Sequence, residues 1–450
     1  MLNYIWLGLI LLAVLIGGMQ GTLKEVSDRS FEMAKFAVVD IALPLAGIMA
    51  LWLGIMRLAE RAGLVALLAR GLRPIMRRLF PEVPVEHPAM GSMLMNMAAN
   101  ILGLGNAATP LGLRAMKDLE TLNPRPGTAT NAMCTFLAIN TSSIQLIPVT
   151  AIAILAANRS TNPSAIVGTT IMATTCAATA AILMAKFLAR LPMFRLEPLP
   201  VPVTATPAPV PEAAPAAADK PAVKEAAGLQ PLHWWGRVLL AAYGLFFVWL
   251  FLRFSFPGWF GLAVPPEMAQ QGVFVRIVSG VSKISIPLLL SIFPLYAALR
   301  RVKVYEEFVD GAREGFEVAI RIIPYLVAIL VAIGMFRAAG GIELLRTWLA
   351  PAMLAVGFPP DLLPLALMRP LSGSGSLGIF TELVQTLGPD SLVARTAGTL
   401  FGSTETTFYV LAVYFGSVGI KRTRYAVLAG LTGDFVGIVA SVIICRLVFG

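Results

Sequence analysis

Apolar residues run along this chain in long blocks separated by short polar stretches. Crossing about 30 Å of hydrocarbon takes roughly 20 residues. Blocks of that size lie near 2–20, 36–57, 129–157, 164–189, 236–255, 273–298, 316–337, 392–416 and 424–449. Each predicts a transmembrane helix, so about nine are expected. Between 57 and 128, and again between 338 and 391, Gly, Pro and polar residues break the pattern. The pieces there are too short to span singly, and both regions are expected to be broken or re-entrant. The fold class expected is an all-α polytopic membrane protein.

One stretch is neither apolar nor patterned. Residues 192–233 carry Pro198, Pro200, Pro202, Pro207, Pro209, Pro211 and Pro215 with alanines between. This composition cannot bury a core and reads as a semi-extended linker. It divides the chain into a first half, 1–191, and a second, 234–450.

The halves echo each other. Pro44, Gly54 and Arg57 match Pro324, Gly334 and Arg337, and Pro74 matches Pro351. Phe80-Pro81 matches Phe358-Pro359, Thr135 matches Thr399, and Gly168 matches Gly430. The matches keep their order, which predicts an internal repeat over about 31–190 and about 310–449.

Composition agrees with a membrane protein. The 450 residues are 57% hydrophobic and 13% charged, against about 25% charged in soluble domains. Mean hydropathy is +0.78. A net charge of +10 would suggest nucleic acid in a soluble chain. No basic domain with interleaved aromatics is present to hold one, so none is expected as a partner. The ordinary cause is the gathering of Lys and Arg in cytoplasmic loops. The first broken region carries Arg61, Arg70, Arg73, Arg77, Arg78, Arg114, Lys117 and Arg125, and the second only Arg346 and Arg369. That asymmetry places the first in the cytoplasm and the second outside. It also predicts a cytoplasmic N-terminus and linker, an external C-terminus, and a second repeat inverted relative to the first. Inverted repeats with broken helices are the architecture of secondary transporters.

Tyr4 to Gly18 lacks a basic flank and a small-residue cleavage site, so it reads as a first membrane helix rather than a signal peptide. Cys134, Cys176 and Cys445 form no ligand motif with His87 or His233, and no metal site or cofactor is expected.

Three polar clusters interrupt the oil. The first comprises Asn96, Asn100, Asn106, Thr109 and Asn131, then Asn140, Thr141, Ser142, Ser143 and Gln145. Amides donate and accept, which suits a neutral hydrogen-bonding solute; the alternative is that they join helices. The second is Arg369 with Ser372, Ser374 and Ser376 in a Gly/Ser run. It resembles an anion nest, with a flexible external turn as the alternative. The third holds Thr404 and Glu405, with Asp434 further on. Carboxylates inside membrane segments suggest H⁺ or Na⁺ coupling; a structural Arg369–Glu405 pair is the alternative. An aspartyl protease using Asp40 and Asp434 is a remote option, since the charge-derived topology separates them. No enzyme is expected.

On these residues the chain resembles a known group. Residues 1–195, with Asn96–Pro110 and Asn140–Gln145, resemble spore maturation protein A. Residues 270–450, with Arg369–Ser376 and Gly402–Thr407, resemble spore maturation protein B. The whole looks like a fusion of the two, in the group carrying the nucleoside recognition Gate domain. The resemblance implies a bacterial inner-membrane protein, linked in spore formers to dehydration of the spore core. Together the readings lead us to expect a secondary transporter of a small polar solute, possible nucleosides included, bound between two inverted repeats. The alternative is a membrane scaffold or regulator acting through a protein partner. A homo-oligomer stays open.

Overall fold

The computed structural model describes residues 2–103, 105–195, 231–264, 268, 271–341, 344, 347, 353 and 357–450. Most of the Pro/Ala-rich segment, Arg346, Pro351 and the side chain of Asn106 lie outside the described residues. All regular structure among the described residues is helical, apart from one isolated bridge between Thr128 and Arg422. Among the described residues five helical stretches are long and apolar enough to cross a membrane: Leu23–Arg61, Pro163–Leu188, Trp234–Ser255, Val273–Leu299 and Ala426–Phe449. Shorter apolar helices cover Trp6–Gln20 and Leu326–Ala338. The chain is a polytopic membrane protein.

The first half begins with α1 (Leu2–Gln20) and α2 (Leu23–Phe36). A π-helical turn, Ala37–Ala42, carries α2 without interruption into α3 (Leu43–Arg61). Pro44 fits there because the backbone is already off the α-helical bonding pattern. Next come α4 (Leu64–Leu79), the hairpin α5 (Pro88–Ile101) and α6 (Gly105–Glu120), then α7 (Asn131–Thr141), α8 (Val149–Ala157) and α9 (Ile166–Leu188). Pro88 opens α5 where a missing N–H costs nothing, and His87 caps it by accepting from the Ala89 N–H at 3.2 Å. In the second half, α10 (Trp234–Ser255) and α11 (Val273–Leu299) precede α12 (Val304–Ala338). The chain continues through α13 (Leu363–Met368), α14 (Gly373–Leu387), α15 (Leu392–Ser403), α16 (Thr407–Gly416) and α17 (Ala426–Phe449).

Helices of the two halves pack side by side and antiparallel. On α12, Gly315 faces Met49 and Ala50 of α3, Gly311 faces Leu53 and Gly54, and Glu307 reaches Arg57 at 2.9 Å. The Gly-x-x-x-Gly spacing lets the backbones touch. A Cβ on Gly311 would lie 2.6 Å from the Leu53 carbonyl oxygen. On α17, Gly433 lies against Ala181 of α9 and Gly437 against Ala177. One buried apolar cluster runs from Met33 in α2 to Val442 in α17 and takes in both halves. By contrast α10 packs beside α11 and exposes Trp235, Phe246 and Trp249, as a lipid-facing helix does.

Two expected spans need correction. The runs 129–157 and 392–416 are not single helices; each is two short helices with an irregular break, at 142–148 and 404–406. Hydropathy over a 20-residue window averages across a few polar residues, and flanks this apolar conceal the break. The run 316–337 is the later part of a 35-residue helix.

Candidate functional site

The first break begins where α7 runs out. The Thr141 and Ser142 hydroxyls bond back to the carbonyls of Ala138 and Ile139, each at 2.9 Å. Ser143 then takes a positive φ of 36°, and Pro148, which has no N–H to donate, precedes α8. The carbonyls of Ser142 and Ser143 are met from α9 by the Thr174 hydroxyl, at 2.8 and 2.9 Å. Helix-end carbonyls inside a membrane need such partners.

The second break repeats this logic. The Ser403 hydroxyl bonds back to the Leu400 carbonyl at 3.0 Å, and Thr404 is extended, with φ −141°. Its carbonyl accepts from the Arg369 guanidinium. Each break is also tied to a nearby helix turn of its own half. The Leu146 N–H donates to Ile101 at the α5–α6 tip, at 3.0 Å, and the Phe408 N–H to Pro370 between α13 and α14, at 3.1 Å. The two breaks meet directly: the Glu405 N–H donates to the Thr141 carbonyl at 2.7 Å.

A cavity of about 280 Å³ opens at this crossing. Gln145 and Pro148 line it from the first break, Glu405 from the second, Phe401 from the end of α15, Arg369 from the α13–α14 turn and Ser374 from the start of α14. Arg369 is only 4% exposed. Its guanidinium lies over the Phe401 ring, 4.5 Å from the centroid, and 4.0 Å from a Glu405 carboxylate oxygen. Its Nε is buried with no partner. The Glu405 side chain is 41% exposed and accepts long bonds from Ser143 Oγ and Gln145 Nε2, both 3.4 Å. Four of the expected residues therefore share one cavity: Gln145, Arg369, Ser374 and Glu405.

The remainder of the expected set lies elsewhere. Asn100 donates to Asn140 Oδ1 at 2.9 Å, and Asn140 donates in turn to the Phe136 carbonyl at 2.9 Å. Asn96 donates to the Ala108 carbonyl at 2.8 Å and approaches the Tyr414 hydroxyl at 3.4 Å. This amide ladder joins α5, α6, α7 and α16 behind the cavity. Ser372 caps α14 by accepting from the Gly375 N–H at 3.0 Å, and Ser376 bonds back to the Ser372 carbonyl at 2.7 Å. Thr109 is half-buried in α6. Asn131 is about 15 Å up α7 from the break; there it accepts from Arg424 at 2.9 Å and from Tyr425 at 3.0 Å. Asp40 is exposed, whereas Asp434 is 2% exposed and accepts from Thr407 at 2.7 Å. The other Asp434 oxygen and the Thr404 hydroxyl are buried without partners.

Sequence reasoning missed Phe401, Tyr414 and Thr174. Each sits in a helix of ordinary apolar or small residues, and no local pattern marks it.

Comparison with known proteins supplies a wider frame. The family described as "Gate: Nucleoside recognition" matches residues 42–158 and 319–421. The chain is similar to spore maturation protein B of Bacillus subtilis (strain 168), 47% identical over 176 residues, which is 39% of this chain and 99% of that protein. It is similar to spore maturation protein A of the same organism, 43% identical over 187 residues, 42% of this chain and 95% of that protein. The two similarities fall on different parts of the chain. No solved structure matches.

Proposed function

We propose, on the premise that this chain belongs to the family of spore maturation proteins A and B with a counterpart of each in one polypeptide, that it is a secondary transporter of a small polar solute. The observation that carries this reading is the meeting of two broken helices, Glu405 N–H to Thr141 carbonyl, beside a cavity lined by Arg369 and Glu405. Irregular backbone inside a membrane is tolerated where it is buried in protein or lines a wet cavity. Broken helices at a repeat interface are where such carriers hold solute and coupling ion.

The antiparallel packing of α3 on α12 and of α9 on α17 supports two inverted repeats. Arg70, Arg73, Arg77 and Arg78 of α4 support a cytoplasmic first broken region, with the N-terminus and linker on that side and an external C-terminus, in a bacterial inner membrane. Glu405 and Asp434 are the candidates for H⁺ or Na⁺ coupling, and no organic cofactor or catalytic step is part of the reading. The experiment is uptake by purified protein in proteoliposomes under an imposed pH or Na⁺ gradient, with nucleosides, amino acids and small carboxylates as solutes. Gradient-dependent accumulation of one class supports transport; equal background leak for every class sinks it.

A second reading is favoured by the amide ladder. Asn96, Asn100 and Asn140 spend their donors on other protein groups, as helix-joining residues do. A scaffold or regulator acting through a protein partner needs nothing more from them.

A further inference from the structure

We propose that the cavity at the two breaks takes a small zwitterion, an α-amino acid with a short apolar side chain. Its carboxylate sits at Arg369 and the start of α14, and its ammonium at Glu405. This rests on reading the cavity as a solute site.

The cationic side of the cavity has unused capacity. Arg369 is 4% exposed, lines the cavity, and keeps its Nε without a partner. The nearest carboxylate oxygen, at 4.0 Å, is beyond hydrogen-bonding distance. Gly373 and Ser374 line the same cavity at the first two positions of α14, a 15-residue helix. N–H groups there have no acceptor within the helix and stand at its positive end. A carboxylate can take the guanidinium and these N–H groups together.

The anionic side faces it. Glu405 is the carboxylate on the cavity wall, 41% exposed, and its contacts to Ser143 and Gln145 are long, at 3.4 Å. A solute with only an anionic group meets repulsion from Glu405. One with only a cationic group meets Arg369 and the helix dipole. A nucleoside offers a full charge to neither. A zwitterion answers both walls and replaces a loose internal pair with two close ones. Pro148, Ala151, Leu377 and Phe401 form an apolar part of the wall, which suits a short aliphatic side chain. The cavity, about 280 Å³, is smaller than sites for drug-sized ligands, which run from about 300 to 1,000 Å³.

The test is thermal melting of the purified full chain in detergent with L-alanine, L-alaninamide, propionate or uridine. L-alanine is expected to raise the melting temperature, and the other three to leave it in place. Glu405→Gln and Arg369→Lys are each expected to weaken the L-alanine response at least about tenfold. A response to uridine or to propionate without one to L-alanine overturns the zwitterion and leaves the transport reading standing. An unaltered L-alanine response in both variants overturns the placement. No response to any compound, in a chain that melts cooperatively, overturns this proposal, and failed uptake in proteoliposomes would separately overturn the transport reading.

Discussion

The backbone N–H of Glu405 donates to the backbone carbonyl of Thr141 at 2.7 Å, across 264 residues of chain. The bond satisfies a donor and an acceptor that neither broken helix can satisfy itself. It also sets the Glu405 side chain at the cavity wall. Any change in how the two breaks cross must alter that bond or carry both segments together.

If Glu405 couples solute to an ion, Glu405→Gln removes the charge and keeps the shape. Gradient-driven accumulation in proteoliposomes should then fall to background, while exchange of labelled for unlabelled solute persists at solute concentrations high enough to fill the weakened site. Driven uptake at the original rate would show that the carboxylate serves structure alone.

Gly311→Ala places a methyl group against the Leu53 carbonyl, 2.6 Å from where its Cβ must go. The expected cost is about 1–3 kcal/mol, as for other overpacked contacts. Gly47→Ala in α3 meets nothing within 4 Å and should be neutral or stabilising by up to about 1 kcal/mol. Melting curves of the two variants in one detergent decide it; equal shifts would mean that α3 and α12 do not approach so closely.

Asn140→Ala leaves the half-buried Asn100 amide without its acceptor. A destabilisation of about 1–3 kcal/mol is expected. Retained stability with lost solute binding would instead place Asn140 in the solute path.

Asp390 gives a pH dependence. Burial acts to raise its pKa, but the Thr161 N–H, the Ser160 and Thr161 hydroxyls and Arg395 hold it down at about 2. The unfolded value is about 3.9. The carboxylate therefore binds its proton more weakly when folded, and its stabilisation is complete above about pH 4 and lost as pH falls towards 2. Melting temperature against pH should show that acid limb, and Asp390→Asn should flatten it. An identical limb in the variant would assign the acid sensitivity to other groups.

Much of the site could be read from sequence because charge in oil is conspicuous. Arg369, Glu405, Ser374 and Gln145 stood out against apolar neighbours, and all four line the cavity. Asn96 and Asn100, four residues apart, fall on one helical face, but which neighbour that face meets depends on tertiary packing. The breaks in the two middle helices escaped because a few polar residues vanish in a long apolar average. The close contacts of Gly311 and Gly315 escaped for another reason: a glycine's value lies in the backbone opposite it, which local sequence does not contain.

The main apolar cluster, shared by both halves, bears on ancestry and on genetic divisibility. Each Bacillus subtilis relative covers a different half, yet in this chain each half buries its helices against the other. Cut between residues 195 and 231 and produced from two genes, the halves should find each other in the membrane and co-purify one to one. Made alone, either should be degraded or aggregate. Joining them in one chain then supplies an effective concentration, and a single gene fixes a stoichiometry that two genes would have to regulate.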